Sequence, residues 1–192
     1  MTDKTDREII IEVLNGNRDF FCLLVQKYER PIFNYIFRMV RSKPDAEDLA
    51  QDTFVKAFYA LNKYDSTYEF STWIYRIALN VCRDYFRKKK LFLYSLSAPI
   101  GDEEESEFED FIPQDSFHNP DDVLLNQELR LNLEKAIQDL PIKFREVIVL
   151  RHLEGLSYDE ISSITGLPVG TVKTYLHRAR KKLQDELGEF LE

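Results

Sequence analysis

Three carboxylates, Asp45, Asp48 and Asp52, recur at i, i+3 and i+7 in the run Pro44-Asp-Ala-Glu-Asp-Leu-Ala-Gln-Asp-Thr-Phe-Val-Lys-Ala-Phe58. On a helix they share one face, with Gln51 beside them, opposite Ala46, Ala50, Phe54, Ala57 and Leu61. Such a row has three uses: holding a divalent cation, docking a charged protein surface, or facing water. A cation site usually draws ligands from several elements, and no histidine accompanies these three. Phosphoryl chemistry on a metal would also need a nucleophile and a phosphate-cradling glycine loop, and neither is present. No catalytic residue, metal ligand or cofactor is therefore expected, and docking and solvation stay open.

A second run, Tyr64-Asp-Ser-Thr-Tyr-Glu-Phe-Ser-Thr-Trp-Ile-Tyr-Arg-Ile-Ala-Leu-Asn-Val-Cys-Arg-Asp-Tyr-Phe-Arg-Lys-Lys-Lys90, interleaves aromatic rings with Arg, Lys and Asn. Single-stranded nucleic acid favours this mixture, because bases stack on rings while cations follow the phosphates. Ile74, Ile77, Ala78 and Val81 repeat at helical spacing and should be buried, and Trp73 and Tyr75 fit a core or a stacking platform equally well.

A third run extends from Leu156 to Arg180. A short helix, a turn containing Gly166 and a second helix with a polar, basic outer face make a helix-turn-helix, which can lay its second helix in a major groove. Ile161 and Ile164 should pack against Val172 and Leu176, leaving Lys173, Thr174, His177 and Arg178 to reach bases and phosphates. Backbone N–H groups near Gly170 and Thr171 should favour a phosphate. The plainer alternative is a helical hairpin with a solvated basic face.

The net charge of -8 argues against nucleic acid until it is divided along the chain. Residues 1–94 sum to +3, residues 95–122 to -10 with no Lys or Arg, and residues 123–192 to -1. The acidic excess thus lies in one segment, whose composition suits a flexible linker. Basic residues cluster on both sides of it, at Arg83, Arg87, Lys88, Lys89 and Lys90, and at Lys173, Arg178, Arg180, Lys181 and Lys182. No apolar stretch approaches the roughly 20 residues needed to cross a bilayer. The opening residues do not form a secretory signal, so a cytoplasmic location is expected. Cys22 and Cys82 lack paired spacing and read as small buried hydrophobes.

The elements that must position these runs are all helical, since apolar residues fall at three- and four-residue spacing and sustained alternation is missing. The fold class is all-α, with two small helical domains, residues 1–94 and 119–192, joined by an acidic flexible linker over 95–118. The first domain should hold helices near 6–14, 18–41, 44–61 and 72–90. Pro31 should kink the second or begin a new helix, Pro44 should sit in the first turn of the third, and Ser71 should cap the fourth. Residues 62–69 form a loop. The second domain should start at Asn119-Pro120 with a helix to about Leu140, followed by one from Pro141 to Glu154 that stops at Gly155. Ser157 and Glu160 form a capping box for a short helix ended by Gly166, and Pro168 begins a long final helix whose stripe is Val172, Leu176, Ala179, Leu183 and Leu187.

The runs Asp45-Ala-Glu-Asp-Leu-Ala-Gln-Asp-Thr-Phe54, Phe70-Ser-Thr-Trp-Ile-Tyr-Arg-Ile-Ala-Leu-Asn80, Gly155-Leu-Ser-Tyr-Asp-Glu-Ile161 and Pro168-Val-Gly-Thr-Val-Lys173, in this order, resemble a bacterial extracytoplasmic-function sigma factor of the sigma-70 family. The likeness spans almost the whole chain. It implies a transcription initiation factor, not an enzyme, that binds core RNA polymerase through the largest-subunit clamp helices and the flap and takes it to promoter DNA. The resemblance assigns Asp48, Gln51 and Asp52 to polymerase docking. It assigns the loop with Asn62, Lys63, Tyr64 and Tyr68 to a flipped base of the single-stranded minus-ten element, and Arg76, Asn80, Arg83 and Lys88 to the same element. Lys173, Thr174, His177 and Arg178 match positions that read the duplex minus-thirty-five element, with Arg151 and Tyr158 near its phosphates and Thr171 in the same DNA-binding surface. An anti-sigma factor, often membrane-bound, is implied as a further partner, without direct membrane insertion by this chain. The rival reading is a helix-turn-helix regulator that binds a palindromic site without polymerase.

Overall fold

The computed structural model describes residues 4–96 and 132–188, with side chains described to residue 91 in the first stretch. Helix α1 (Asp6–Leu14) is started by a reciprocal cap. The Thr5 hydroxyl accepts the Glu8 N–H, and the Glu8 carboxylate accepts the Thr5 N–H. A 3-10 turn (Arg18–Phe20) leads into α2 (Phe21–Val40), which runs unbroken through Pro31, so no new helix begins there. Arg41, with φ 57°, reverses the chain, and Ser42 accepts the Asp45 N–H to start α3 (Lys43–Ala60).

After a 3-10 turn (Leu61–Lys63) and a short loop, α4 covers Phe70–Leu96. It begins before the expected cap, because the Trp73 N–H already donates to the Glu69 carbonyl, and Ser71 therefore lies inside its first turn. It also passes Lys90 into the expected linker, since Leu91-Phe-Leu-Tyr-Ser-Leu96 contains neither glycine nor proline to stop it.

The expected start at Asn119-Pro120 lies outside the described residues, as does the acidic segment from residue 97 onward. Helix α5 occupies residues 132–139 and α6 Ile142–Ile148. The single helix expected from Pro141 to Glu154 instead changes into a π-helical turn, Val149–Leu153, in which the Glu154 N–H reaches back to the Val149 carbonyl. Gly155, at φ 72°, takes the chain out of this wide turn. Helix α7 (Tyr158–Thr165) carries the expected Ser157–Glu160 capping box and ends at Gly166, at φ 74°. Helix α8 is Val169–Gly188. Among the described residues there is no strand.

The apolar faces meet as periodicity predicts. Leu24, Ile32, Ile36, Met39, Ala46, Ala57, Ile74 and Leu79 close the core of the first domain, and Ile161, Ile164, Val172 and Leu176 are buried where α7 packs on α8. The two helical domains also touch, with α4 against α7 and α2 against the π-helical turn. Cys82 is buried as expected, but Cys22 is exposed. Its neighbours Phe21, Leu24 and Tyr28 take the inward face of α2 at i, i+3 and i+7, which turns residue 22 outward.

Burial pushes the Cys82 thiol up to about 12 and raises the phenols of Tyr28, Tyr35 and Tyr75. The folded chain therefore keeps protons that the unfolded chain releases at alkaline pH. The contribution of these groups should be level from neutral pH to about pH 9 and fall as pH rises toward 12. Urea midpoints that stay constant through this window would contradict the burial. Iodoacetamide at about pH 8 should modify Cys22 and leave Cys82 intact until the chain unfolds.

Candidate functional site: docking and nucleic-acid surfaces

Helix α3 buries Ala46, Ala50, Thr53, Phe54 and Ala57 and leaves Asp48, Gln51 and Asp52 exposed. Asp52 pairs with Lys56 one turn on, at 2.9 Å, an exposed pair worth about 0.3–0.5 kcal/mol. Asp45 leaves the row: half-buried, it accepts the Tyr85 hydroxyl at 2.8 Å and so ties α3 to α4. Among the described residues no group of three His, Cys, Asp or Glu could hold a metal ion. Val55 and Tyr59, the latter 79% exposed, extend the acidic row at i+7 and i+11 from Asp48. Their exposure as large apolar groups was not inferred from the sequence, although the spacing carried the signal.

The loop after α3 is built on itself. The Tyr64 hydroxyl donates to the Tyr68 carbonyl at 2.5 Å, the Asp65 carboxylate accepts the Thr67 N–H at 2.9 Å, and Arg7 from α1 donates to the Ser66 carbonyl at 2.9 Å. The Asp65 carboxyl is held below its usual range by the Thr67 bonds. Tyr64 meets Phe70 at 5.8 Å and Trp73 at 5.4 Å, and Phe70 meets Tyr28 at 5.3 Å, so rings from α2 and α4 floor the loop. Asn62, Lys63 and Tyr68 are exposed above it. Tyr75 proves to be core, edge-on to Tyr35 at 5.4 Å, whereas Trp73 is half-buried.

On α4, Arg76, Asn80, Arg83 and Arg87 fall at i, i+4, i+7 and i+11 and share a stripe, with Lys88 off its edge. Arg76, Asn80 and Lys88 are exposed. Arg83 is not simply presented to solvent, because it forks onto Glu146 of the second domain at 2.8 and 2.7 Å. The sequence contained one sign of this: Glu146 is a carboxylate inside the apolar run Phe144 to Leu150.

In the second domain three elements converge on one ring. The Arg151 guanidinium of the π-helical turn lies 4.9 Å, and Lys173 Nζ of α8 5.8 Å, from the centroid of the Tyr158 ring at the start of α7. Arg151 is anchored by donating to the Leu156 carbonyl at 2.8 Å. Thr174 donates to the Gly170 carbonyl, and Lys173, Thr174, His177 and Arg178 are exposed along α8. Thr171 is half-buried, and its N–H already donates to the Pro168 carbonyl at 2.8 Å, so the expected phosphate donor there is engaged by the tight first turn. Beside this surface Arg180 Nε donates to His152 Nε2 at 3.3 Å. Partial burial, with the cations Arg180 and Arg151, holds the His152 imidazole below the usual 6.5. A neutral imidazole is the form able to accept that bond.

Residues 24–92 match Sigma-70 region 2 and residues 130–183 match Sigma-70 region 4. The ECF RNA polymerase sigma factor SigW of Bacillus subtilis is 36% identical over 180 residues, 94% of this chain and 95% of that protein. The RNA polymerase sigma-H factor of Pseudomonas aeruginosa is 32% identical over the whole of this chain and 98% of its own. Among solved structures, CnrH in complex with the cytosolic domain of CnrY is similar with a TM-score of 0.67 and 26% identity, covering 97% of this chain and 99% of that one. With its exposed acidic row, aromatic loop and helix-turn-helix, the chain belongs to the extracytoplasmic-function RNA polymerase sigma factors. It is a transcription initiation factor, not an enzyme, and it works by binding core polymerase and promoter DNA. This displaces the polymerase-independent regulator. No helix among the described residues is long and apolar enough to cross a membrane.

Proposed function

We propose that residues 1–94 dock on the polymerase and open the minus-ten element, that residues 119–192 read the minus-thirty-five element, and that residues 95–118 link them. Docking falls to Asp48, Gln51 and Asp52 on the clamp helices, with Val55 and Tyr59 continuing the surface. The loop bearing Asn62, Lys63, Tyr64 and Tyr68 takes the flipped base, and Arg76, Asn80, Arg83 and Lys88 follow the strand beside it. Lys173, Thr174, His177 and Arg178 face the duplex, with Arg151 and Tyr158 near its phosphates, Thr171 at the edge of the same surface and the flap behind. The chain is cytoplasmic and is held at the membrane by a membrane-bound anti-sigma factor, which covers the docking surfaces until a signal releases them.

The supporting observation is the division of labour along each helix. Every residue assigned to a partner is exposed or half-buried, while the apolar residues between them close the cores. Each domain binds weakly alone, and polymerase fixes their spacing so that both promoter elements are engaged together. The test is transcription by sigma-free core polymerase on a fragmented genomic library, with transcript starts mapped by sequencing. Starts that need this protein and share two spaced upstream motifs are expected. Lys173→Ala should lower their use by about 10- to 100-fold, the loss of one base-edge contact. Starts that lack an upstream motif, or that ignore Lys173→Ala, would refute the assignment of α8.

A further inference from the structure

The two domains meet through a polar seam that the initiation chemistry does not need. Arg83 Nε and Nη2 of α4 donate to the two carboxylate oxygens of Glu146 at 2.8 and 2.7 Å, and Arg83 Nη1 reaches the Thr165 carbonyl at 3.4 Å. Glu146 is only 3% exposed. The carboxylate of Glu154, placed by the π-helical turn, accepts Arg38 Nη1 of α2 at 2.6 Å and the Tyr75 hydroxyl of α4 at 2.5 Å. Arg145 Nη1 crosses in the other direction to the Met39 carbonyl at 2.8 Å.

We infer that this seam is an autoinhibitory lock, in which the Glu146 and Glu154 carboxylates occupy Arg83 and Arg38 as nucleic-acid phosphates would, so that closure and minus-ten binding exclude each other. The competition rests on the proposed role of Arg83 at the minus-ten element, whereas closure itself does not. A guanidinium forks onto a carboxylate or a phosphate with the same geometry, so one side chain cannot serve both. If Arg83 turned to DNA with the domains still closed, Glu146 would be left as a buried charge without its guanidinium, which is strongly unfavourable. Separating the domains returns Glu146 to water and removes that penalty. Release is thus coupled to opening.

One feature of the seam favours opening. The Tyr35 hydroxyl is fully buried and has no hydrogen-bond partner among the described residues, and the charges of Glu146, Arg83 and Glu154 all act on it. A buried hydroxyl left unsatisfied destabilises the state that buries it. The closed state is therefore held by strong pairs and weakened by the unsatisfied hydroxyl beside them, as suits a contact that must be broken.

The experiment uses the full chain, labelled at exposed Cys22 and at Gln184→Cys on the outer side of α8, with buried Cys82 left in place. Distance distributions by pulsed electron resonance should show one short population for the parent chain. Glu146→Gln with Glu154→Gln should broaden it toward longer distances and raise affinity for a single-stranded minus-ten oligonucleotide by about 10-fold or more, the scale of losing a buried pair. Tyr75→Phe, which deletes only a hydroxyl, should move both readouts the same way by less. Tyr35→Phe should move both in the opposite direction. Unchanged distances in the double variant and in Tyr75→Phe overturn the lock, and opening without tighter oligonucleotide binding overturns the competition. Failure of parent and variants alike to start transcription with core polymerase would instead count against the initiation reading, and the distance data would still judge closure.

Discussion

Asp48→Arg should abolish the transcript starts that depend on this protein and weaken its binding to core polymerase by about 100-fold or more. The carboxylate is exposed on the outer face of α3, beyond the first turn, so the helix macrodipole has little hold on it. Reversal should therefore change folding stability by no more than about 0.5 kcal/mol. At a docking surface the same change sets a cation where the partner presents cations, and like-charge juxtaposition costs several kcal/mol. The measurement pairs a polymerase-binding titration with a urea unfolding curve of the free chain. Weak binding with intact stability locates the surface, whereas parental binding by Asp48→Arg would remove Asp48, and with it the acidic row, from docking. Lys56→Ala, which removes the partner of Asp52, should leave both readouts within a factor of two or so.

Phe70→Ala should have the largest effect on folding. The ring is 1% exposed and lies edge-on to Tyr28 and Tyr64 and tilted against Trp73. Removing it takes away the transfer term and leaves a cavity that these rigid neighbours cannot close, a loss of about 3–5 kcal/mol. For a chain whose total stability is of the order of 5–15 kcal/mol this brings the first domain near its limit. The only tryptophan, Trp73, is one of the rings that lose contact, so its emission reports both the local change and the unfolding midpoint. Promoter opening should fall further than stability alone requires, because Tyr64 and the 64–69 turn rest on the same ring. A shift below about 1 kcal/mol would mean that the cluster does not support the loop.

The division between sequence and tertiary structure follows from the range of the forces involved. Helix faces, the Ser157–Glu160 capping box and the Gly166 stop depend on residues within one or two turns, and one-dimensional periodicity contains them. The same holds for the outward placement of Asp48, Gln51, Asp52, Lys173, Thr174, His177 and Arg178. Family motifs added the partner of each surface, which no periodicity carries. Where local signals misled, a longer-range bond had decided the matter. Asp45 left its row for the Tyr85 hydroxyl, 40 positions away. Cys22 is the exception: it looked like a core residue by type, yet the helical period that turns Phe21 and Leu24 inward places it on the outer side of α2. The helix expected to reach Glu154 opened into a π-helical turn, and the Glu154 carboxylate there meets Arg38, 116 positions earlier.

Arg83 shows the limit most clearly. Its type and its place on α4 are written in the sequence, as is the assignment to DNA that the resemblance carries. Its pairing with Glu146, 63 positions on, exists only because α4 packs against the second domain. Sequence by itself determined which side chains face outward, since that depends on helical period and on water rejecting apolar surface. Only the tertiary structure decided which of those outward charges meet each other, since a buried ion pair is a property of two surfaces brought into contact.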